Sequence, residues 1–372
     1  MIASDTLDNN VGEGKPGVSA PRTAAPALPR GLAGTPDDKE MLRAAVDLTR
    51  DISVARPAIY WPDMIGSAAI GYGLMAAAIL IENPLAAGIA GVLSALALYR
   101  ALLFIHELTH IHKNALPGFR LGWNLLVGIP MLTPSLMYEG VHTLHHARTR
   151  YGTVDDPEYL PLALMKPWSL PVFALVALLL PIGLLIRSAL LVPLGAVIPP
   201  LRKLVWERAS ALSINPEFRR RPPEGEFARQ VFWQELGASA WALFLVWWSA
   251  THSWRPLLIG LAIVSVTALL NQIRTLVAHL WENEGEAMTV TGQYLDSVNV
   301  PPPGPIAALW APVGLRYHAL HHLLPSMPYH SLAEAHRRLA AQLGTASTYH
   351  KANYNGLLPL VGRLARSTMM PR

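Results

Sequence analysis

Eight of the fourteen histidines in this chain lie in three short boxes. The first box has the pattern HxxxH, and the boxes at 142–146 and 318–322 have the pattern HxxHH. On a helix, residues three and four apart share a face, so each box would direct its imidazoles one way. Neutral imidazole binds iron, zinc, copper and nickel, and an ordinary core does not need three such faces. The boxes therefore predict a large metal site with these ligands: His106, His110, His142, His145, His146, His318, His321 and His322.

A ninth candidate ligand, His279, follows the apolar stretch 256–278. Asn271, Thr275 and His279 are four residues apart and would share one stripe of a helix. Polar residues in a membrane span usually face the protein interior or a functional cavity. We therefore expect His279 to reach the same surface as the boxes. The remaining histidines lack ligand spacing and are predicted to lie on the surface or to point away: His112, His252, His330, His336 and His350.

The composition is that of a membrane protein. Of the 372 residues, 52% are hydrophobic and 15% are charged, whereas soluble proteins have a charged share of about 25%. Long apolar stretches occur at 65–81, 85–105, 170–200, 236–250 and 256–278. Since a span needs about 20 apolar residues, we predict an all-α, multi-pass membrane protein with about four to six spans in hairpins.

The order of these stretches predicts on which side the boxes lie. The first hairpin turns at the short, acidic segment 82–84 and the second at 251–255, while basic residues lie beyond the other ends. The positive-inside rule then places the boxes in a helical cap on the cytoplasmic side. Residues 121–137, interrupted by two prolines, are predicted to be re-entrant or interfacial. Residues 170–200 are predicted to form a short hairpin or an in-plane segment, because a single crossing would separate the third box from the others.

Four regions follow from this pattern. Residues 1–34 are rich in Pro, Gly, Ala and Ser and are predicted to be a disordered tail. Residues 35–56 are predicted to form an amphipathic helix on the membrane surface. Residues 57–345 form the membrane domain with the boxes, and residues 346–372 form a C-terminal tail. Within the membrane domain, Arg100 is expected to extend toward the head groups.

The chain has no cysteine. This excludes disulfides, iron–sulfur clusters held by this chain, thiolate-ligated haem and Cys-type zinc sites. Any electrons that the site consumes must therefore come from another protein.

The net charge of +5 arises from basic residues beside apolar spans, which indicates membrane orientation and not nucleic-acid binding.

Two other functions fit part of the pattern. The first box alone, with Glu107 after its first histidine, is the HExxH signature of zinc proteases, in which the glutamate acts as the base. Such a protease needs one further ligand and gives no reason for two HxxHH boxes. A zinc or iron transporter would need ionisable residues deep in the spans that can bind the metal ion. The residues found there are arginines, whose positive charge repels metal ions.

With its three boxes, its box-bearing hairpins and His279 upstream of the third box, the chain resembles the integral-membrane fatty acid desaturases. Membrane hydroxylases and carotenoid oxygenases are related to them, and the resemblance covers residues 60–345. It implies two irons held by the nine histidines at the cytoplasmic face, with dioxygen as co-substrate. The implied substrate is a fatty acyl lipid, an acyl-CoA or an acyl carrier.

The same resemblance implies a separate electron donor that is ferredoxin-like or cytochrome b5-like. No HPGG-type haem-binding stretch is present, so no fused cytochrome b5 domain is implied. The expected reaction is desaturation of a lipid acyl chain. Hydroxylation or carotenoid oxygenation at the same diiron site is the nearest alternative, because one oxidant can either take a second hydrogen or return the oxygen.

Neutral imidazoles leave the charge of two ferrous ions largely uncompensated, so nearby carboxylates are expected to orient the ring N–H groups and offset that charge. The candidates lie beside the boxes or His279: Glu107, Glu139, Asp155, Asp156 and Glu282. Several desaturases have an Asn four residues before the extra histidine. This chain has Thr275 there and Asn271 one turn earlier, and either side chain could hold a water on one iron.

Overall fold

The computed structural model describes residues 32–112, 114–303 and 306–369. Within these ranges the chain forms helices, turns and isolated bridges but no β-strand, so the predicted all-α class is confirmed. The α-helices are α1 (Lys39–Asp47), α2 (Pro57–Leu80), α3 (Pro84–Leu102), α4 (Phe104–His110), α5 (Phe119–Trp123), α6 (His142–His145), α7 (Ser169–Ile186), α8 (Val192–Val197), α9 (Pro199–Ala209), α10 (Gly225–Thr251), α11 (Arg255–Leu276), α12 (Val290–Asp296), α13 (Ile306–Trp310), α14 (His318–Leu323), α15 (Leu332–Gln342) and α16 (Leu357–Met369).

The long helices are suited to a bilayer. Four helical segments are long and apolar enough to cross it: Pro57–Leu80, Pro84–His110, Ser169–Val197 and Arg255–Leu276. Large apolar side chains on them, such as Ile70, Leu80 and Leu85, are mostly exposed. Exposed apolar side chains along long apolar helices are suited to contact with the hydrocarbon of a bilayer. The chain is therefore a multi-pass helical membrane protein, and α10 adds a fifth long helix with more polar residues.

Helices α2 and α3 form the first predicted hairpin. Asn83 is the N-cap of α3 and accepts from two backbone N–H groups of its first turn, while Pro84 occupies the first helical position. The helices approach closely at Gly71, where an added Cβ would lie 2.6 Å from the side chain of Leu98. Ser94 also donates to the Gly71 carbonyl at 2.7 Å. Small residues at such a contact are what allow membrane helices to pack closely.

Arg100 of α3 pairs with an acid within the protein, and that it also extends toward the head groups stays a prediction. Its Nε donates to Asp63 Oδ1 of α2 at 2.7 Å. The hydroxyl of Tyr329 donates to the other oxygen of Asp63 at 2.7 Å. The acid lies on the neighbouring helix, and charges within spans are stable when paired. The pair connects the first hairpin to the segment that follows the third box.

Residues 121–137 form a reversal and, as predicted, not a full span. Helix α5 continues into a π-helical turn at Asn124–Gly128, and Leu132 adopts a positive φ of 56°. The side chain of Asn124 joins the two arms: it accepts from the Ser135 backbone N–H at 2.8 Å and donates to Ser135 Oγ at 2.9 Å. The chain thus returns between the first two boxes, so both reach the same end of the helices.

The hairpin predicted at 170–200 is wrong, because residues 169–197 form one helical segment of 29 residues. Pro181 lies inside this segment without ending it, since membrane helices tolerate proline when neighbouring groups satisfy the freed backbone. The reversal follows the segment, and α9 packs back on α8, where a Cβ on Gly195 would lie 3.2 Å from Arg202 Cα. The alternative of an in-plane segment stays a prediction.

The cap is built from α1, α12, α14 and α15. Met41 and Ala45 of α1 pack with Leu320 of α14 and Leu339 of α15 in one apolar cluster. Met41 is 0% exposed and Ala45 is 1% exposed. The helix predicted at 35–56 therefore buries its apolar face in the cap and does not offer it to the membrane surface.

The C-terminal residues 346–372, predicted to be a tail, are largely helical where the structure describes them. A 3₁₀ turn at Thr348–Ala352 is joined to the cap, because the Asn299 backbone N–H donates to the Ala352 carbonyl at 2.8 Å. Helix α16 packs through Leu360 and Leu364. These residues belong to the folded cap, whereas residues 1–31 of the predicted N-terminal tail lie outside the described part of the chain.

Candidate metal centre

All nine predicted histidines converge in two adjacent groups. Within each group, one nitrogen of every imidazole lies within 4.8 Å of the corresponding nitrogens of the others. The rings are buried or half-buried. The first group is His106, His110, His142, His146 and His321, and the second is His145, His279, His318 and His322. This is the geometry expected of two metal sites with five and four imidazoles.

The HxxHH pattern serves both groups at once. In the second box, His142 and His146 join the first group and His145 joins the second. In the third box the assignment is reversed, because His321 joins the first group and the outer two histidines join the second. A helix places residues i and i+4 one above the other and residue i+3 beside them. Each HxxHH box can therefore supply ligands to two neighbouring sites.

The remaining ligands come from the ends of the membrane helices. Helix α4 directs His106 and His110 into the first group. His279 follows α11 and is held by an antiparallel bridge to Ser297. Beside this bridge, the Val298 N–H donates to the Ala278 carbonyl at 2.9 Å. The backbone thus fixes the ninth imidazole next to the third box.

Several Nε2 atoms face one another closely within the groups. The separation is 3.0 Å between His142 and His146, and 3.1 Å between His146 and His321. In the second group, His279 and His318 Nε2 are 3.1 Å apart. Each neutral imidazole has one protonated and one unprotonated nitrogen. Unprotonated nitrogens that face each other at this distance are stabilised when a cation lies between them, so the arrangement fits metal ions.

Unpartnered nitrogens support the same interpretation. Both ring nitrogens of His106 and Nε2 of His110 are buried without a hydrogen-bond partner among the described residues. Buried polar atoms in proteins are nearly always paired. A bound metal would engage one nitrogen of each of these rings, and imidazole is a suitable donor for iron.

Two carboxylates orient ligands of the second box. The Nδ1–H of His145 donates to Asp156 Oδ2 at 2.9 Å, and the Nδ1–H of His142 donates to Glu158 Oε1 at 2.9 Å. A proton held at Nδ1 leaves the Nε2 lone pair free to face the metal. Burial raises the pKa of Glu158 to about 7. Asp156 is itself held by the Gly152 N–H at 2.8 Å.

A tyrosine orients the ninth ligand. The hydroxyl of Tyr151 donates to Asp296 Oδ2 at 2.8 Å and accepts from His279 Nδ1–H at 2.8 Å. The Ser297 hydroxyl lies 3.2 Å from the same nitrogen. Burial raises the pKa of Asp296 to about 6. His279 is thus connected to a buried carboxylate through Tyr151.

Burial keeps most of these imidazoles neutral. It lowers the pKa of His142, His146 and His318 well below the usual value, and neighbouring histidines lower it further. Burial also disfavours the charged form of His145, but the adjacent Asp156 carboxylate outweighs it and raises the pKa of His145. Neutral imidazole is the form that binds metal ions, so the site is prepared for them.

The predicted orienting acids differ in outcome. Asp156 bonds to a ligand, as described above. Glu107 Oε1 lies 3.7 Å from His106 Nδ1, and its other oxygen accepts from the Tyr60 hydroxyl and the Tyr329 backbone N–H. Glu107 therefore lies buried beside the first group, and hydrogen bonds to its second carboxylate oxygen fix its position.

The other predicted acids do not reach the ligands. Glu139 pairs with Arg120 at 2.7 Å, Glu282 pairs with Arg363 at 3.0 Å, and Asp155 is exposed. These three predictions are wrong, because proximity to a box in sequence was their basis and none of these carboxylates bonds to a proposed ligand among the described residues.

The two polar residues of α11 also have no hydrogen bond to a ligand in the described structure. Asn271 Oδ1 accepts from Arg274 Nη2 at 3.3 Å. Thr275 is half-buried one turn before His279. That either residue holds a water on an iron stays a prediction.

Sequence reasoning missed Glu158, Tyr151 and Asp296. A signal existed for Glu158, which lies two residues after Asp156 in the same polar segment. Tyr151 and Asp296 are 145 residues apart and meet through the fold alone. No spacing in the sequence points to that contact.

The histidines left out of the site lie elsewhere. None of them belongs to a metal-capable group among the described residues. His112 and His252 are exposed, but three histidines predicted to lie on the surface are half-buried: His330, His336 and His350. The cap covers these three because it is larger than the sequence predicted.

The fold and the site together define a class: a multi-pass helical membrane protein whose histidine boxes form a centre for two metal ions. The pattern of the family described as "Fatty acid desaturase" matches residues 82–353, and the chain belongs to this family of membrane diiron enzymes. A "Ceramide hydroxylase" of Caulobacter vibrioides (strain NA1000 / CB15N) is 50% identical over 340 residues, which cover 90% of this chain and 96% of that protein. The chain is therefore an integral-membrane oxidoreductase.

Proposed function

We propose that this protein hydroxylates a hydrocarbon chain of a ceramide-type lipid. The observation that carries the proposal is the 50% identity to a ceramide hydroxylase over nearly its whole length. The sequence alone predicts desaturation first and hydroxylation as the alternative, and this relative favours the alternative. The family cannot separate the two reactions, because both begin with removal of a hydrogen from an unactivated carbon.

We further propose that the nine histidines hold two irons, one with each group. Bound iron would supply the activation of dioxygen that breaks the C–H bond, which no side chain can do. In the balanced reaction, one oxygen atom enters the C–H bond and the other leaves as water, with two electrons and two protons consumed. Because the chain has no cysteine, we assign the electrons to a separate ferredoxin-like or cytochrome b5-like protein.

The protein's own groups prepare this site. Asp156 and Glu158 keep the proton of their histidines at Nδ1, so that Nε2 faces the metals. Four buried or half-buried carboxylates surround neutral imidazoles and offset the charge of two metal ions: Glu107, Asp156, Glu158 and Asp296. Nine imidazoles in two groups also argue against a protease, whose single zinc needs fewer ligands.

The decisive experiment is expression in a bacterial host that contains ceramide but lacks this activity, followed by mass spectrometry of its lipids. Gain of one oxygen atom on ceramide supports the proposal. Loss of two hydrogen atoms without oxygen would establish a desaturase. Unchanged ceramide from iron-loaded, electron-supplied protein would overturn ceramide as the substrate.

A pair of histidine variants provides the control. His145→Ala removes a proposed ligand, and His112→Ala removes an exposed histidine outside the groups. We expect His145→Ala to lose activity and iron, while His112→Ala retains both. Metal analysis of the wild-type protein should find two irons per chain, and one zinc without iron would contradict the proposed centre.

A further inference from the structure

The two acids that orient ligands of the second box lie in one loop. Residues 152–159, the acid loop, carry Asp156 and Glu158. Asp156 bonds to His145 of the second metal group, and Glu158 bonds to His142 of the first. The position of this one loop therefore affects a ligand of each proposed metal ion.

Hydrogen bonds inside the acid loop set its shape. Asp156 Oδ2 accepts from the Gly152 N–H at 2.8 Å, and Asp156 Oδ1 accepts from the Glu158 N–H at 2.8 Å. These bonds join parts of the loop to one another, so they do not determine where the loop lies relative to the histidines. Its position depends on contacts with other segments.

A segment between α9 and α10 supplies such contacts. Residues 213–215, the anchor segment, direct three donors to the carbonyl of Pro157, the residue between the two acids. The donors are the Ser213 hydroxyl at 2.5 Å, the Ile214 N–H at 3.0 Å and the Asn215 N–H at 3.1 Å. Ser213 and Pro157 are 56 positions apart, so the folded chain and not the local sequence brings the anchor segment to the loop.

The side chain of Asn215 extends this contact to the rest of the acid loop. Its Nδ2 donates to the Asp156 carbonyl at 2.9 Å and to the Val154 carbonyl at 3.0 Å. Its Oδ1 accepts from the Glu217 N–H at 3.0 Å. Asn215 is 8% exposed, and both ends of its amide have partners, which define its orientation. An alanine at this position would lose all three bonds.

We propose that Asn215 is a positioning residue for the metal centre, because it holds the acid loop where Asp156 and Glu158 meet their histidines. Carboxylates that bond to metal-ligating histidines fix the imidazole rings and thereby raise metal affinity. A residue that fixes both carboxylates should therefore support both metal ions at once. The inference rests on the proposed two-iron centre and adds a residue that acts on this centre through the acids.

The test measures Fe²⁺ binding without turnover. Metal-free protein in detergent competes anaerobically with a chromogenic chelator for Fe²⁺, which gives the affinity of each of the two binding steps. Asn215→Ala should weaken both steps by about tenfold, the lower end of the about 10–100-fold loss expected when a direct partner of a ligand is removed. Ser213→Ala removes one donor to Pro157 and should weaken both steps by a smaller factor. Ser213→Thr keeps the hydroxyl and should bind Fe²⁺ as the wild type does.

Asn83→Ala is the matched control. The Asn83 side chain accepts from two backbone N–H groups at the start of α3. Loss of this N-cap should lower the unfolding midpoint of the metal-free protein and leave the Fe²⁺ affinity of the folded protein unchanged. Comparison of the midpoints and affinities thus separates a general loss of stability from a loss of metal binding.

Two results would overturn the inference. A lower midpoint with unchanged Fe²⁺ affinity in Asn215→Ala would show that Asn215 supports the fold alone. Weakening of one binding step alone would show that the loop does not serve both metal ions. If Asn215→Ala does not fold, Ser213→Ala decides the question, because weaker Fe²⁺ binding supports the inference and unchanged binding overturns it.

The proposals can fail separately. If the wild-type protein binds two irons but does not hydroxylate ceramide, the proposed lipid reaction is wrong, and the Fe²⁺ affinities of the variants still test Asn215. If the wild-type protein binds a single zinc, the proposed centre is wrong, and the inference that Asn215 supports two ions is wrong with it.

Discussion

Asp155 and Asp156 are neighbours in sequence, yet only Asp156 is turned into the site. Asp156 is 0% exposed and accepts from His145 Nδ1–H, whereas Asp155 is exposed. We expect Asp156→Asn to weaken iron binding or activity by about 10–100-fold, the usual effect of removing a partner of a metal ligand. Iron content after dialysis and turnover of the lipid substrate measure this loss.

Asp155→Asn is the matched control, since it makes the same chemical change one residue away. It should retain the iron and the turnover of the wild-type protein. Equal losses in the two variants would show that the carboxylate of Asp156 has no special connection to His145.

Some residues of the metal centre could be predicted from the sequence and others could not. The nine histidines were predictable because their spacing of three and four residues is itself the geometry of a helix face. The residues that orient these histidines could not be predicted from spacing. Tyr151 reaches His279 across 128 residues, and such a contact depends on packing of the whole cap.

At the scale of elements, a buried ion pair joins the α7–α8 segment to α10. Arg187 Nη2 donates to Glu235 Oε1 at 2.7 Å, and the side chains are 3% and 5% exposed. Glu235→Gln leaves Arg187 buried without its counter-charge, which destabilises a protein by about 3–5 kcal/mol. We therefore expect a lower thermal unfolding midpoint in detergent.

Two comparisons separate the buried pair from general effects of charge. Glu207→Gln removes an acid that is 29% exposed and pairs at 3.8 Å with Lys203, which is 76% exposed, and its midpoint should stay near that of wild type. The double variant Arg187→Met with Glu235→Leu should recover part of the loss, because the buried charge of Arg187 is removed together with its partner, and Arg202, which also pairs with Glu235 at 2.6 Å, is 36% exposed. A further fall in the double variant would contradict this account.

The cap should be sensitive to acid through His336 of α15. His336 Nδ1 accepts from the Tyr349 hydroxyl at 2.8 Å, and burial lowers the pKa of His336 from 6.5 to about 4. Between these values the unfolded chain binds the proton more readily than the folded cap. The contribution to stability is therefore present above pH 6.5 and is lost as the pH falls toward 4.

His336→Gln keeps a neutral acceptor and removes this titration. The unfolding midpoint of wild type should fall more steeply than that of His336→Gln when the pH is lowered from neutral to about 4. His112→Gln, at an exposed position, should follow the wild type. Parallel curves for all three proteins would exclude a role for His336.

The elements that were predicted wrongly share one cause. The sequence shows that α1 is amphipathic, but it does not show that the cap covers its apolar face, because Leu339 lies nearly 300 residues from Met41. Prolines at 170–200 suggested a break, yet the neighbouring helices keep that segment continuous. Periodicity thus predicts that an element exists, and packing between distant elements decides where it lies.

At the scale of the whole molecule, the two predicted hairpins point the same way. Their turns lie together, because Arg255 Nη2 donates to the Ile81 carbonyl at 3.3 Å. At the other ends of the same helices lie His110 and His279, in the metal centre. The turns and the metal centre are therefore at opposite ends of the helices, as expected for opposite sides of a bilayer.

Since the chain has no cysteine, single cysteines can test this orientation without background. Glu82→Cys and Ser253→Cys lie in the two turns, and Ala341→Cys lies on the exposed surface of the cap. With the centre on the cytoplasmic side, as the positive-inside rule predicts, a membrane-impermeant thiol reagent should label both turn variants in intact cells. It should label Ala341→Cys only after permeabilisation. The reverse pattern would place the metal centre outside, and labelling of one turn alone would show that the hairpins do not share an orientation.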